Sequence, residues 1–377
     1  MSPVPALTPR PMLPSPLVFA IAGTRVKLLF MGHGSPPAKT QLRRSDPSAP
    51  GYTRVRRAQS FVYLDSSGSP IADSQTLARI HALVIPPAWE DVWVCPDPLG
   101  HLQATGVDAA GRRQYVYHEL WREQQDRLKF EHMEHFARAL PEMRESLLAT
   151  MGHGRELDRG RVLACAIRLL DVGMFRIGSD VYEKEDGHLG LSTIAKSNVS
   201  ITADGLLFDY FAKEGVRQVH LVQDPPCVEI VSRLKRRRGG GAHLLAFRER
   251  GAWHQIHAHL INERLKALIG DSFSAKNFRT WNGTLLAAVS VATTGGEARS
   301  ERARGRAIAH AARDVAEVLG NTPAVARSSY IDPRVFDRYL TGSTIASELQ
   351  AIERRGLDEE RRRAEIERAV LELLAPA

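Results

Sequence analysis

The chain has 377 residues, of which 43% are hydrophobic and 25% charged, which is typical of a globular protein with two or three domains. The net charge of +8 favours an acidic partner such as nucleic acid or an anionic membrane, although charge spread over this length also serves solubility alone. The three cysteines form no Cys-x-x-Cys pair, which argues against a disulfide framework or a zinc site. No run approaches the roughly 20 apolar residues of a membrane span.

Residues 1–53 are rich in proline and contain two short apolar patches interrupted by Arg25 and Lys27. A signal peptide fits poorly because its apolar core would be short and badly flanked. We therefore expect a disordered extension. A small β-rich domain should follow over residues 54–118, with a helix capped by Ser74 and strands at 61–64, 92–94, 102–104 and 114–117.

A larger, mostly helical domain is predicted over residues 119–346. It should begin with a helix to about residue 150, followed by a helix that ends at Gly173. Hairpin signals at 186–187 and 204–205, and a further turn at Lys213, predict a small antiparallel sheet over residues 182–222.

Two charged stretches allow more than one interpretation. The glycine-rich basic segment 235–241 fits a flexible connection as well as a DNA contact. Residues 347–377 predict an amphipathic C-terminal helix, and its charged run 359–363 is typical of a solvated face.

Four short blocks resemble one family. They are Phe175-Arg176-Ile177-Gly178, Phe211-Ala212-Lys213, Lys276-Asn277-Phe278-Arg279-Thr280-Trp281, and Gly320-Asn321-Thr322-Pro323 with Ser328-Ser329-Tyr330. In this order they are similar to the type IB DNA topoisomerases, in particular the compact bacterial and poxvirus-like branch. The resemblance spans residues 54 to about 342. It implies five catalytic residues: Arg176, Lys213, Arg279, Asn321 and Tyr330.

The chemistry of strand cleavage fits these residue types. Two arginines suit the nonbridging oxygens of a phosphodiester, because a guanidinium is always charged and binds phosphate in a bidentate manner. Lysine can protonate the leaving 5′-oxygen, and asparagine adds a neutral donor. Tyrosine can attack phosphorus and keep it as an ester, which stores the energy for religation.

Taken singly, each residue also fits a structural role. Arg176 suits a surface ion pair, Lys213 an exposed turn, Arg279 a structural arginine stacked on Trp281, Asn321 a cap and Tyr330 a buried ring. Two departures from the family pattern stand out. Many members carry histidine where Asn321 stands. Asparagine cannot act as an acid or base, so Asn321 can only form hydrogen bonds. In addition, Glu214 follows the lysine directly.

The segment Gln114-Tyr115-Val116-Tyr117-His118 resembles the family's DNA-facing strand in the small domain. The resemblance implies that Gln114, Tyr115 and Tyr117 contact DNA, and we add Lys276 beside the second arginine. The alternative is a strand with buried aromatic rings, and this alternative has more weight for Tyr117 than for Tyr115.

The resemblance implies an α+β fold: a β-rich domain and a helical catalytic domain with a small antiparallel sheet, which together form a C-shaped DNA clamp. We expect relaxation of supercoiled duplex DNA through a 3′-phosphotyrosine, without metal, ATP or other cofactor. The enzyme should be a monomer in the cytoplasm, at the bacterial nucleoid. The alternatives are a tyrosine recombinase, which normally shows His-x-x-Arg where this chain has Lys276-x-x-Arg279, and an inactive DNA-binding relative.

Overall fold

The computed structural model describes residues 41–57, 60–179, 183, 187–296 and 300–376. The chain divides into two compact units, one that ends at His132 and one that continues from Met133 to the C-terminus. The first contains a β-sheet and the second is mostly helical with two small sheets, which confirms the expected α+β class. The expected boundary at residues 118–119 remains a prediction.

The first unit is a five-stranded antiparallel sheet in the order β2-β1-β3-β4-β5. Its core contains Tyr63, Ile80, Val92, Val94 and Ala104, so one sheet face packs under a helix. That helix begins after Asp73, whose side chain accepts from Thr76 N, so Asp73 and not Ser74 is the N-cap. The elements are β1 (Tyr52–Arg57), β2 (Ser60–Leu64), α1 (Ser74–Ala82), β3 (Glu90–Val94), β4 (Leu102–Val107) and β5 (Arg113–Tyr117).

Residues before 54 already belong to this unit. Arg43 N donates to Leu99 O at 2.9 Å, and Trp93 Nε1 donates to Ala49 O at 3.0 Å. Gly51 lies so close to the Trp93 ring that a Cβ there would overlap it. The predicted extension of residues 1–53 is therefore too long at its C-terminal end, and residues 1–40 lie outside the described residues.

Helices build most of the second unit. The long α2 (Glu119–Gly152) precedes α3 (Arg159–Gly173), which is buried along most of its length and ends where Met174 adopts a left-handed conformation, φ 56°. The predicted end at Gly173 is confirmed. The other helices are α4 (Pro225–Arg236), α5 (Ala258–Ile269), α6 (Ala275–Thr294), α7 (Glu301–Leu319), α8 (Pro323–Ser329), α9 (Pro333–Leu340), α10 (Ala346–Arg355) and α11 (Glu359–Leu374).

The sheet beside these helices is smaller than predicted. It contains β6 (Val199–Thr202), β7 (Gly205–Phe211) and β8 (Arg217–Val222), joined in sequence order by antiparallel pairing. The hairpin at residues 204–205 is confirmed, whereas the turn predicted at 186–187 lies partly outside the described residues. The described residues before Val199 contain no strand of this sheet, so the predicted range 182–222 is too long. A second hairpin, β9 (Ala246–Glu249) with β10 (Ala252–Gln255), was not predicted.

Both charged stretches are more ordered than the sequence suggested. In segment 235–241 the buried Arg237 donates to the carbonyls of Leu234 (2.9 Å), Leu244 (2.6 Å), Gly240 (3.1 Å) and His243, so the loop folds around its own guanidinium. The predicted C-terminal helix is two helices, because Gly356 with φ 58° ends α10. No helix in the described ranges is long and apolar enough to cross a membrane.

Candidate active site

Arg279 is the buried centre of the site. It lies on α6, with only 4% of its surface exposed. Its Nη1 donates to Met174 O at 2.8 Å and its Nη2 to Leu319 O at 2.7 Å. Both carbonyls lie at helix C-termini, those of α3 and α7, where unpaired carbonyls and the helix dipole favour a cation. Two helix ends therefore hold this guanidinium in place.

Arg176 reaches the same region from the segment after α3. Its Nη2 donates to Gly320 O at 2.9 Å and to Asn321 Oδ1 at 2.6 Å. The Arg176 backbone is fixed as well, because its carbonyl accepts from Leu191 N at 2.8 Å. Both arginines thus bind the junction between α7 and α8.

That junction has the local structure expected from its sequence. Gly320 has φ 60° and closes α7, and Thr322 caps α8 by accepting from Val325 N at 3.3 Å. Pro323 occupies the first turn of α8, where its missing N–H costs nothing. Asn321 lies between the two helices, so its side chain is free to turn towards Arg176.

Tyr330 follows α8 directly, and its N–H donates to Ala326 O at 3.0 Å. The Arg279 guanidinium lies 5.2 Å from the centre of the Tyr330 ring. On α6, a Cβ at Gly283 would lie 2.6 Å from Tyr330 O and 3.3 Å from Tyr330 Cβ. Thr284 Oγ1 donates to Thr280 O at 2.9 Å, accepts from Asp332 N at 3.0 Å and lies 3.5 Å from Tyr330 O. Gly283 and Thr284 therefore fix where the tyrosine lies.

Lys213 is the one predicted catalytic residue that the structure does not bring into this cluster. It lies in the tight turn between β7 and β8, and 71% of its side chain is exposed. Its Nζ lies 4.0 Å from the Glu214 carboxylate. Glu214 has φ 66°, so the turn is strained at a non-glycine residue.

The two arginines make the site strongly cationic. Burial, and then the nearby charge of Arg176, lower the pKa of Arg279, while the Tyr330 oxygen acts in the opposite direction. Burial raises the pKa of Tyr210. Burial, and then the charge of Arg279, lower the pKa of His220 to about 4, so this histidine is neutral at pH 7. A group with negative charge would relieve this concentration of positive charge.

Comparison with known proteins decides the family. Residues 118–355 match the family model described as eukaryotic DNA topoisomerase I, catalytic core, and residues 60–108 match the bacterial DNA topoisomerase IB N-terminal domain. The chain belongs to the type IB DNA topoisomerases. It is 24% identical over 286 residues to DNA topoisomerase 1B of Acanthamoeba polyphaga mimivirus, which covers 74% of this chain and 85% of that protein.

The resemblance seen in the sequence is therefore confirmed, and this topoisomerase relaxes supercoiled DNA with the tyrosine mechanism of its family. The family match also favours a topoisomerase over a tyrosine recombinase.

Three of the predicted DNA contacts of the topoisomerase lie on β5. Tyr115 and Tyr117 are 48% and 36% exposed, and their rings stack with centroids 6.1 Å apart. The alternative of a buried ring does not hold for Tyr117. Gln114 Nε2 donates to Asp108 Oδ2 at 2.8 Å. Lys276 is exposed in the first turn of α6, one turn from Arg279.

Sequence reasoning missed several residues that shape this topoisomerase site. Gln218 is buried on β8, and its amide would clash with a Cβ at Gly320. His220, on the same strand face, lies with its ring centroid 4.9 Å from that of Phe175. The sequence pattern along Arg217–Val222 indicates the opposite face, because it would bury Val219 and Leu221, whereas Val219 is 53% exposed and Gln218 is buried. The sequence did not point to Gly283, because the need for a glycine within a helix becomes visible only from the residues packed against it in space.

Proposed function

We propose that Arg176, Lys213, Arg279, Asn321 and Tyr330 carry out strand cleavage and religation in this enzyme, without ATP or a metal ion. One observation carries the assignment. Within the described residues, Asn321 Nδ2 and Arg279 Nε are buried without a hydrogen-bond partner, and both belong to residues that contact Arg176 or Tyr330. Buried donors without partners are costly, and the oxygens of a phosphodiester would satisfy them.

In the cleavage step, the Tyr330 phenolic oxygen attacks phosphorus after its proton has left to water. The bond to the 5′-oxygen breaks, and that oxygen takes a proton from the Lys213 ammonium. Arg176, Arg279 and Asn321 stabilise the negative charge on the nonbridging oxygens. The products are a 3′-phosphotyrosine and a free 5′-hydroxyl, and the reverse sequence reseals the strand after rotation.

The exposed position of Lys213 supports a role on bound DNA. An amine on an exposed hairpin turn is accessible, so it can approach a leaving oxygen that DNA brings to the site. We infer that Lys213 completes the site only when duplex DNA is bound, as catalytic contacts commonly tighten in the complex.

We propose that Gln114, Tyr115, Tyr117 and Lys276 contact the duplex. Two exposed, stacked tyrosines and an exposed lysine suit a polar, anionic partner better than solvent. Phosphate contacts should make affinity fall steeply with salt. We further propose that the enzyme acts as a monomer, since the residues that meet at the site come from one chain, and that it acts on DNA at the bacterial nucleoid.

The test is relaxation of a negatively supercoiled plasmid in EDTA without ATP. The wild type should give a ladder of relaxed topoisomers, and Tyr330→Phe should give none. Tyr339→Phe is the matched control, since its buried hydroxyl donates to Gly295 O at 3.0 Å, away from the site. A wild type that binds the plasmid without relaxing it would identify an inactive relative, and exchange between two duplexes would identify a recombinase.

A further inference from the structure

Arg363 makes an unusual set of contacts for a residue in a charged run that the sequence assigned to a solvated face. It lies on α11, which begins after residue 355, where the match to the catalytic core ends. Its Nη2 donates to Asp171 Oδ1 at 2.6 Å, to Asp171 O at 3.2 Å and to Asn282 Oδ1 at 3.1 Å. Its side chain is only 13% exposed. The expectation that residues 359–363 form a solvated face is wrong for this residue.

Arg363 Nε donates to Glu367 Oε1 on its own helix at 3.1 Å. The other two partners of Arg363 each lie within five residues of an active-site arginine. Asp171 is five residues before Arg176, in the last turn of α3. Asn282 is three residues after Arg279, one turn further along α6. Asn282 Nδ2 also donates to Asp171 O at 3.0 Å. The Arg363 guanidinium therefore joins α3 to α6 close to both active-site arginines.

A second contact between α3 and α6 involves an active-site arginine directly. Met174 lies between Asp171 and Arg176, and its carbonyl accepts from Arg279 Nη1 at 2.8 Å. The end of α3 thus binds α6 twice, through Asp171 to Asn282 and through Met174 to Arg279. A shift of α3 relative to α6 would move both arginines against each other.

Neutralising Asp171 does not require Arg363. The carboxylate is fully buried and also accepts from Arg144 at 2.8 and 2.9 Å and from Arg168 at 3.1 Å. Burial alone would raise the pKa of Asp171, but Arg144, then Arg363 and Arg168, hold it far below the usual range. Removing Arg363 leaves two arginines on Asp171. What would be lost is the guanidinium bridge from the Asp171 carboxylate to Asn282 Oδ1, which neither Arg144 nor Arg168 makes in the described structure, while the direct bond from Asn282 Nδ2 to Asp171 O remains.

We propose that Arg363 is a positioning residue for strand cleavage, which fixes the separation of Arg176 and Arg279 by joining Asp171 to Asn282. The proposal rests on the catalytic assignment of the two arginines made above. Misplacing a catalytic group by about 1 Å can cost on the order of 100-fold in rate. The C-terminal helix is accordingly part of the catalytic apparatus, although it lies outside the matched core.

A cavity beside Arg363 makes a direct test possible. It has a volume of about 460 Å³ and is lined by Arg363, Asn282, Arg144, Arg168 and the apolar side chains of Leu285 and Val222, among others. When Arg363 is shortened to alanine, a guanidinium ion from solution can enter this space and occupy the position of the lost group.

The experiment measures single-turnover formation of the covalent adduct on a nicked duplex that cannot be religated. For Arg363→Ala we expect cleavage about 10- to 100-fold slower, with DNA affinity within about twofold of the wild type. Millimolar guanidinium chloride should restore several-fold of the rate, and sodium chloride of equal ionic strength should not. Arg368→Ala is the matched control, an exposed arginine of the same helix paired with Glu365 and Glu372. It should cleave like the wild type.

Three results would overturn the proposal. These are a wild-type cleavage rate in Arg363→Ala, a slow rate that guanidinium does not raise, and an equal loss in Arg368→Ala. If Arg363→Ala does not fold, Arg363→Lys replaces it, because lysine keeps the charge but its nitrogen lies one bond short of the position of Nη2, which makes all three bonds to Asp171 and Asn282. Wild-type cleavage by Arg363→Lys would also refute the positioning role.

Failure of the underlying assignment gives a different pattern. Arg176→Ala and Arg279→Ala, measured in the same assay, should each lose cleavage. If they cleave normally, the catalytic assignment is wrong, whatever Arg363 does. If both lose cleavage and Arg363→Ala does not, only the positioning role is wrong.

Discussion

Arg176 Nη2 lies 2.6 Å from Asn321 Oδ1, and this hydrogen bond determines which end of the amide faces the site. The arginine can only donate, so it bonds to the amide oxygen, and Nδ2 points away from Arg176. Nδ2 is buried and has no hydrogen-bond partner in the part of the chain that the structure describes. A side chain that cannot act as acid or base is thereby held as a donor.

Replacing Asn321 with aspartate tests this orientation. The carboxylate of the variant would still accept from Arg176, but its second oxygen would be a negative acceptor facing a phosphate. We expect Asn321→Asp to slow cleavage by about 100- to 1,000-fold, and more than Asn321→Ala, which only removes the donor. Single-turnover cleavage of both variants measures the difference. Equal rates in the two variants would show that Nδ2 does not face the phosphate.

Gly283→Ala should displace the tyrosine. The new Cβ would lie 2.6 Å from Tyr330 O, within a helix that cannot easily bend away. We expect cleavage to fall by on the order of 10- to 100-fold, while circular dichroism remains that of a folded protein. Gly152→Ala, near the end of α2 with open space around its Cβ, is the control. If Gly283→Ala cleaves at the control rate, the close packing of Tyr330 on α6 is not needed for attack.

Lys213→Ala should slow cleavage by about 100- to 10,000-fold without lowering thermal stability, because the side chain is mostly exposed. A substrate with sulfur as the bridging 5′ atom separates the acid role from phosphate binding. A thiolate leaves without a proton, so this substrate should restore cleavage by Lys213→Ala but not by Arg279→Ala. A defect that persists with sulfur would assign Lys213 to DNA binding instead.

His220 should make the folded state sensitive to acid. Its pKa is lowered to about 4 by burial and by Arg279, compared with about 6.5 in an unfolded chain. The unfolded state therefore binds the proton first, so this contribution to stability is complete above pH 6.5 and is lost as the pH falls towards 4. The free energy of unfolding, measured with urea between pH 7 and pH 4.5, should decrease over this window.

His220→Gln is the comparison for that measurement, since glutamine does not titrate. The part of the slope that belongs to His220 should vanish in the variant, while slopes from carboxylates remain. An unchanged slope between pH 6.5 and pH 5 would show that the imidazole is solvated or already paired in the native state.

How much of this structure the sequence predicted depends on how local each feature is. The caps around Asn321 and the hairpin that carries Lys213 follow from short-range backbone chemistry, so reading neighbouring residues was sufficient. The strands β9 and β10 were missed because their four-residue segments carry little periodicity. The break at Gly356 was missed because a charged, periodic stretch on both sides fits one helix as well as two.

Local sequence was enough to identify the family, the five catalytic candidates and most of the elements that carry them. Which of these residues meet follows from the tertiary structure. It joined Arg176 to Asn321 across 145 residues and Arg363 to Asp171 across 192, and it left Lys213 apart on its hairpin. The physical reason is that a buried cation needs acceptors, and the packing of the helices determines which acceptors lie within its reach. The neighbours of a residue along the chain do not indicate those partners.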